Sequence, residues 1–318
     1  MRESGGHRTL DNKPAREGLK AVCLLLCVIG FLPAARAQEL SPRAYLPTPE
    51  GTRIATLGYA FTTGDTITDP SLPITGVNSD INAILLAYKR SFDFAGRSAN
   101  FIVELPYSWG ETTGRTLETQ RIGRKFSGMG DLATTVSVNL VGAPSMDREE
   151  FLALLADPGP MIGVSLRVVA PTGNYHDDRV VNVGGNRWAA KLEFGAIIPL
   201  VPKWVLELEL GAWAFQDNDD FVTGKREQES IAAAEMHIVR LFERNVWASL
   251  DFNYYKGGRT RIDGKKLEDL QRTSKAGASL LFPMDRQRVV KIGFHWGSVT
   301  NSDERVTGVN ISISQALK

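Results

Sequence analysis

The chain has 318 residues, 43% of them hydrophobic, with 37 basic residues against 36 acidic ones. This near-neutral balance, with no basic tract or stripe to neutralise a phosphate backbone, argues against nucleic acid as a partner. No segment approaches the roughly 18 consecutive apolar residues of a helical membrane span, so helical spans are excluded.

In chain order, a basic leader (Arg2, Arg8, Lys13, Arg16, Lys20) runs into the apolar stretch Ala21 to Leu32, followed by Pro33 and the small-x-small site Ala35-Arg36-Ala37. That is the layout of a secretory signal peptide over residues 1–37, cut before Gln38. Its apolar run is roughly a dozen residues, short of the ~20 that a bilayer-spanning helix needs. Both cysteines, Cys23 and Cys27, leave with it, and 31 basic against 33 acidic residues remain in a single domain, 38–318. A cysteine-free mature chain has no disulfide framework, thiolate nucleophile or Cys-ligated metal.

From there the recurring signal is alternation with period two over segments of about ten residues. Phe101, Val103, Leu105, Tyr107 and Trp109 oppose Asn100, Glu104 and Ser108. Val136 and Val138 oppose Ser137 and Asn139, and Val164, Leu166 and Val168 oppose Ser165 and Arg167. Leu192 and Phe194 oppose Lys191 and Glu193, and Leu206, Leu208 and Leu210 oppose Glu207 and Glu209. Leu250 and Phe252 oppose Asp251 and Asn253, and Ile292 and Phe294 oppose Lys291 and His295. Weaker segments at Thr52–Thr63, Ser79–Phe92, Ser230–Phe242, Thr273–Phe282 and Val306–Leu317 bring the count to about twelve.

A water-soluble sandwich shows the same alternation, but three features favour a membrane. The strands run to about ten residues, enough to cross a bilayer at a tilt, where soluble strands average five or six. Aromatics gather at segment ends, among them Tyr59, Tyr107, Trp109, Trp188, Trp204, Tyr254 and Trp296, as interfacial girdles require. Short turns (94–98, 199–203, 243–245, 283–288) alternate with long polar loops (64–79, 110–127, 172–187, 216–230, 256–272), the rhythm of short periplasmic turns and long outer loops. The fold class is therefore all-β: an antiparallel transmembrane β-barrel of about twelve strands. The stretch Ser145 to Ala156 breaks the rhythm as a short periplasmic helix, with Ser145 as its N-cap and Phe151, Leu154 and Leu155 as its apolar stripe. It reads as a lid or peripheral helix.

The loops carry a resemblance. Asp69 to Ile74 (Asp-Pro-Ser-Leu-Pro-Ile), Leu105-Pro-Tyr107 with Trp109, Gly128-Met-Gly-Asp131, Val141-Gly-Ala-Pro144, Ala170-Pro-Thr-Gly173 with Tyr175, Asn182 to Trp188, Asp217 to Phe221 and Tyr254 to Gly258 occur in this order. In them the chain resembles a bacterial family named for the meta-pathway of phenol degradation, whose members are treated as outer-membrane transporters. The resemblance implies residence in the outer membrane, contact with its lipid, and a small-molecule solute linked to aromatic catabolism. Barrels of this sort usually finish on an aromatic residue. This chain ends Ser314-Gln-Ala-Leu-Lys318, so either Leu317 takes that place, or insertion is less efficient, or this end is atypical.

The polar face expected to line the lumen carries Asn82, Glu104, Arg167, Lys191, Glu193, Glu207, Glu209, Glu235, His237, Asp251, Asn253, Lys275, Lys291 and His295. Such residues either set the selectivity of a water-filled path or pair across the interior and fill it, and their mixed signs favour pairing for most. Asn186, Arg187, Asp217, Asp219 and Asp220 are candidates for an outer-loop site. The acidic runs 217–220 and 176–178 match no calcium-loop spacing, so no metal or other cofactor is expected. Catalysis is not expected either. There is no Gly-x-Ser-x-Gly turn or His-Glu-x-x-His helix, and His237 and His295 fall on the inward parity, away from lipid. The leading expectation is a passive channel for small hydrophobic or aromatic compounds. The alternatives are a structural or partner-binding barrel with a plugged lumen and, further off, a barrel-embedded lipid hydrolase.

Overall fold

Each alternating segment becomes a strand because only full pairing satisfies the backbone in hydrocarbon, and only closure removes the edges. The computed structural model describes residues 42–65, 78–115, 121–178, 182–221, 224–299 and 305–317. The expected signal peptide and the 69–74 motif lie outside the described residues.

Twelve strands close into the barrel: β1 (Arg53–Asp65), β2 (Asn78–Phe94), β3 (Arg97–Arg115), β5 (Leu132–Val141), β6 (Met161–Ala170), β7 (Ala189–Val201), β8 (Trp204–Phe215), β11 (Ile231–Leu241), β12 (Trp247–Gly257), β15 (Gln271–Pro283), β16 (Arg288–Val299) and β17 (Arg305–Leu317). Neighbours are antiparallel, and β1 pairs with both β2 and β17, which seals the seam. A further strand, β4 (Arg121–Met129), continues the line of β5 outward along the upper half of β3. Residues 110–115 and 121–127, expected as loop, are thus paired strand. Their polar residues carry no oil-facing alternation, so the pairing is invisible to a pattern search.

The long loops at 216–230 and 256–272 also hold structure. Strands β9 (Asn218–Phe221), β10 (Gly224–Gln228), β13 (Thr260–Ile262) and β14 (Lys265–Lys266) form a second small sheet beyond the barrel rim.

The outward face is apolar. Leu57, Leu86, Leu166, Leu192, Leu210, Leu250, Phe294 and Ile311 are all exposed. Tyr59, Tyr107 and Trp109 form a tilted aromatic group toward the long-loop end, with ring centroids 6.0 and 6.4 Å apart. Trp204 lies at the short-turn end with Arg240 5.1 Å above it. This is the banded surface of a protein solvated by lipid.

Helix α1 (Arg148–Ala156) is capped by Asp147, not by the expected Ser145. The Asp147 carboxylate accepts from the Glu149 and Glu150 amides at 2.8 and 2.9 Å, and Glu150 accepts in return from the Asp147 amide. A carboxylate followed at N3 by Glu completes a capping box. Ser145 donates to Glu50 instead.

Candidate functional site: the barrel interior and its outer cap

The period of two turns every second strand residue inward, and the register decides which of them meet. Three tiers result, all concentrated on the β5–β12 side of the barrel.

At the short-turn end the lumen is filled by the chain's own N-terminal segment. Tyr45 is buried with Met146, Met161, Ile197, Val205, Val239 and Trp247, and Phe151 and Leu154 of α1 pack against this cluster. The helix thus packs against the short-turn end of the barrel. The Tyr45 ring lies over Gly163 and Gly195, which are cross-strand partners, and a Cβ on either glycine would enter the ring. The hydroxyl group of Tyr45 donates to Ser165 Oγ at 3.1 Å and to Glu193 Oε1 at 3.2 Å. Two residues earlier, the Arg43 amide donates to Glu207 Oε2 at 2.6 Å and its guanidinium lies 3.4 Å from Oε1. Sequence reasoning missed Arg43 and Tyr45, because a plug has no periodicity. The aligned pair Gly163 and Gly195 was the available signal.

The middle tier is polar. Arg167 pairs with Glu104 and also donates to Thr135 Oγ1 at 3.1 Å. Lys191 pairs with Glu193 and lies 2.8 Å from Glu235, whose other oxygen accepts from Asn253 at 3.2 Å. His237 Nδ1 lies 2.8 Å from Asp251 Oδ1, and Ser279 donates to Asp251 Oδ2 at 2.7 Å. Glu104, Arg167, Lys191, Glu193, Glu207, Glu209, Glu235 and His237 are all buried. The structure therefore brings most of the expected lumen residues together as an interlocked layer.

The third tier, toward the outside, is aromatic. Trp213 and Tyr255 are buried with Ile231 and Ala233, and Phe215 stacks parallel to Trp213 at 6.2 Å.

The opposite wall differs. On β15, β16 and β17, Lys275, Lys291, His295, Asn310 and Ser312 face inward and stay partly exposed. Glycines on neighbouring strands let these side chains lie flat. The space a Cβ would take at Gly297 is occupied by Lys275, at Gly308 by His295, and at Gly293 by Asn310. On β1 and β2 the inward residues at mid-strand are small or aliphatic (Gly58, Ala60, Ala83, Leu85 and Ala87), with Thr56, Thr62 and Lys89 on the same face nearer the strand ends.

One expected lumen residue is corrected. Asn82 points outward, opposite Phe61 and Trp109, and accepts from the Tyr59 hydroxyl at 2.7 Å. Its inward neighbours Ile81 and Ala83 are apolar, so polarity misassigned the faces of this strand.

The outer loops are tied together by the sequence motifs. Asp131 accepts from the Gly173 amide at 2.8 Å and from the Gly185 amide at 2.7 Å, joining three motif segments that are far apart in sequence. Asn174 Oδ1 accepts from the Met129 amide at 2.6 Å and fills the space beside Gly128. Asn186 donates to Asn218 Oδ1 at 3.0 Å. Arg187 is buried, donates to Gln228 and lies 4.6 Å over the Phe215 ring. Asp217 pairs with Lys225 at 2.7 Å, and Asp219 stands exposed beside it. The backbone carbonyl of Asp220 accepts from the Tyr175 hydroxyl at 3.0 Å. Asp177, Asp178, Asp219 and Asp220 line an open hollow of about 310 Å³ with Phe221 and Gly224. Beneath it Arg226 faces Phe221 at 5.6 Å. Burial pushes its guanidinium down to about 10 against the opposing pull of Asp269 and Tyr175, so it stays charged at neutral pH.

Asp131→Ala will strand two part-buried amide donors, each costing at most about 1–3 kcal/mol. Loop 171–188 should then be cleaved by added protease far faster than in the parent, while strand content by circular dichroism stays the same.

A lipid-facing barrel, with its N-terminal segment packed inside the short-turn end and a small loop sheet beyond the other rim, defines the protein as a transmembrane β-barrel of the outer-membrane type. Residues 51–314 match the family described as "Putative MetA-pathway of phenol degradation", and the chain belongs to that family. Among solved structures it is similar to an outer membrane channel from Pseudomonas putida F1, with a TM-score of 0.71 and 20% identity over 88% of this chain and 100% of that one. It is also similar to the β domain of the Bordetella autotransporter BrkA, with a TM-score of 0.49 and 8% identity over 84% of this chain and 100% of that one. For a Pseudomonas aeruginosa FadL homologue the TM-score is 0.44, at 7% identity over 86% and 92% of the two chains. No curated protein sequence is detectably similar to this chain.

Proposed function

We propose that the protein is a passive channel of the bacterial outer membrane, exported by a cleaved signal peptide and admitting small hydrophobic or aromatic compounds. The observation that carries this reading is the one-sided lumen. Paired charges and aromatics fill the β5–β12 half, while glycines on β15–β17 hold the opposite polar side chains against the wall. Twelve strands enclose a wider bore than the roughly eight whose interior side chains just fill, which leaves room for a path beside the packed half.

In this reading Asp251, Lys275, Lys291 and His295 border the path. Glu104, Arg167, Lys191, Glu193, Glu207, Glu209 and His237 form its rigid opposite side and do not act as a selectivity ring. Asn186 and Arg187 brace the outer cap, and Asp217, Asp219 and Asp220 edge the opening where solute gathers. The family's link to phenol degradation and the Trp213, Phe215 and Tyr255 tier beside the path both support an aromatic solute.

The second reading, a plugged structural barrel, draws on the buried ion pairs and on the N-terminal segment in the mouth. Planar-bilayer recordings of the refolded mature chain separate the two. A channel shows small conductance steps, and the charge reversal Lys275→Glu moves the reversal potential in a salt gradient toward cation preference. A silent barrel, or steps indifferent to Lys275→Glu, would sink the channel reading.

A further inference from the structure

We infer that the buried middle tier holds a divalent transition-metal ion, bound by Glu209, Glu235 and His237. These three offer one carboxylate oxygen each from the two glutamates and a ring nitrogen, all within 4.8 Å of one another. The register accounts for the grouping. Glu209 on β8 is the direct cross-strand partner of Glu235 on β11, and His237 follows Glu235 by two residues on the same inward face.

Two independent features point to a ligand. The first is an unpartnered buried atom on each of two of the three groups. Glu209 Oε2 and His237 Nε2 are buried and accept or donate no hydrogen bond among the described residues, and both residues are only 2% exposed. Cations near them are already engaged. Lys191 bridges Glu193 and Glu235, and Arg43 holds Glu207. Glu209 therefore sits directly opposite another carboxylate with no cation of its own, an arrangement that is destabilising in a strand pair. A metal ion removes that conflict. Glu235 can serve it while keeping Lys191 and Asn253, since its two oxygens offer about four lone-pair sites.

The second feature is the orientation of His237. Its Nδ1 is fixed by Asp251 at 2.8 Å, and Asp251 is itself held by Ser279 at 2.7 Å. A carboxylate on one ring nitrogen sets the tautomer, leaves Nε2 as an acceptor and strengthens it as a ligand; this is the outer-shell arrangement of protein metal sites. One imidazole with two carboxylates suits Zn²⁺ and its first-row neighbours, while Ca²⁺ and Mg²⁺ prefer all-oxygen sets. The mature chain has no cysteine to compete for such an ion.

The test uses the untagged mature chain, refolded in detergent, stripped with chelator and dialysed against micromolar Zn²⁺. Expected is a single zinc per chain that millimolar Ca²⁺ does not displace. His237→Ala and Glu209→Gln each abolish retention, and Asp251→Asn weakens it about 10–100-fold. Heat-modified gel migration checks that each variant is a folded barrel. Zinc X-ray absorption on the parent chain gives a reading that needs no variant, and should show one imidazole among oxygen ligands. Zinc retained equally by the His237 and Glu209 variants, no zinc above the buffer level, or a spectrum without imidazole each overturns the proposal.

Discussion

Tyr45→Ala will release the N-terminal segment from the periplasmic mouth and raise single-channel conductance several-fold, with little change in barrel melting. The ring is nearly fully buried, lies over the two glycines of β6 and β7 beside Met161 and Ile197, and hydrogen-bonds to Ser165 and Glu193. Truncating a buried aromatic costs about 3–5 kcal/mol. Here that loss falls on the docking of an appendage, because no barrel strand contains Tyr45. At ~1.4 kcal/mol per tenfold, the docked-to-free ratio falls by on the order of a hundred- to a thousand-fold or more. Gly195→Val should produce the same opening from the other side of the contact, by placing a branched side chain where the ring sits. Unchanged conductance in both variants, with melting also unchanged, would show that the constriction lies elsewhere.

The largest effect on stability is expected from Lys191→Met. This single ammonium lies between Glu193 and Glu235 in a layer that also holds Glu207 and Glu209, all buried. Removing one partner of a buried ion pair costs about 3–5 kcal/mol, because the remaining charge is left uncompensated. Urea unfolding in detergent, with chelator present, should show the midpoint fall accordingly. Adding Glu193→Gln to the Met variant should return part of the loss, since neighbours in one network are not additive. Glu193→Ala alone should likewise cost stability, because it takes from buried Lys191 one of its two carboxylate partners. If Lys191→Met unfolds at the parent midpoint, the tier is hydrated and its pairs are dispensable.

The barrel was legible in the sequence because lipid imposes one rule on every strand: an oily residue at every second position. Segments such as Val246 to Tyr254 and Ile162 to Ala170 obey it, and their ends lie within three residues of those of β12 and β6. The rule holds only at membrane depth. Beyond it, β4, β9, β10, β13 and β14 pair through backbone and polar contacts with no alternating face. It also fails where the inward wall is itself apolar, as on β2, which is why Asn82 was placed on the wrong side.

The candidate site was half legible. Parity put Glu104, Arg167, Lys191, Glu207, His237 and His295 inside, but partners depend on register, which one strand's pattern does not contain. That His237 meets Asp251 across the β11–β12 pair, and that Glu209 meets Glu235 across the β8–β11 pair, follows only once strands are aligned. The loop motifs were visible as recurring Gly, Asn and Asp. Their shared role, convergence on Asp131, needed three segments to be seen together.

The glycines of β15–β17 also bear on how relatives of this barrel can diverge. A methyl group at Gly297 or Gly308 would lift Lys275 or His295 away from the staves, and one at Gly293 would lift Asn310. The residues touching lipid would be unaltered. The residues that set how far inward side chains stand from the wall are therefore distinct from those that face hydrocarbon.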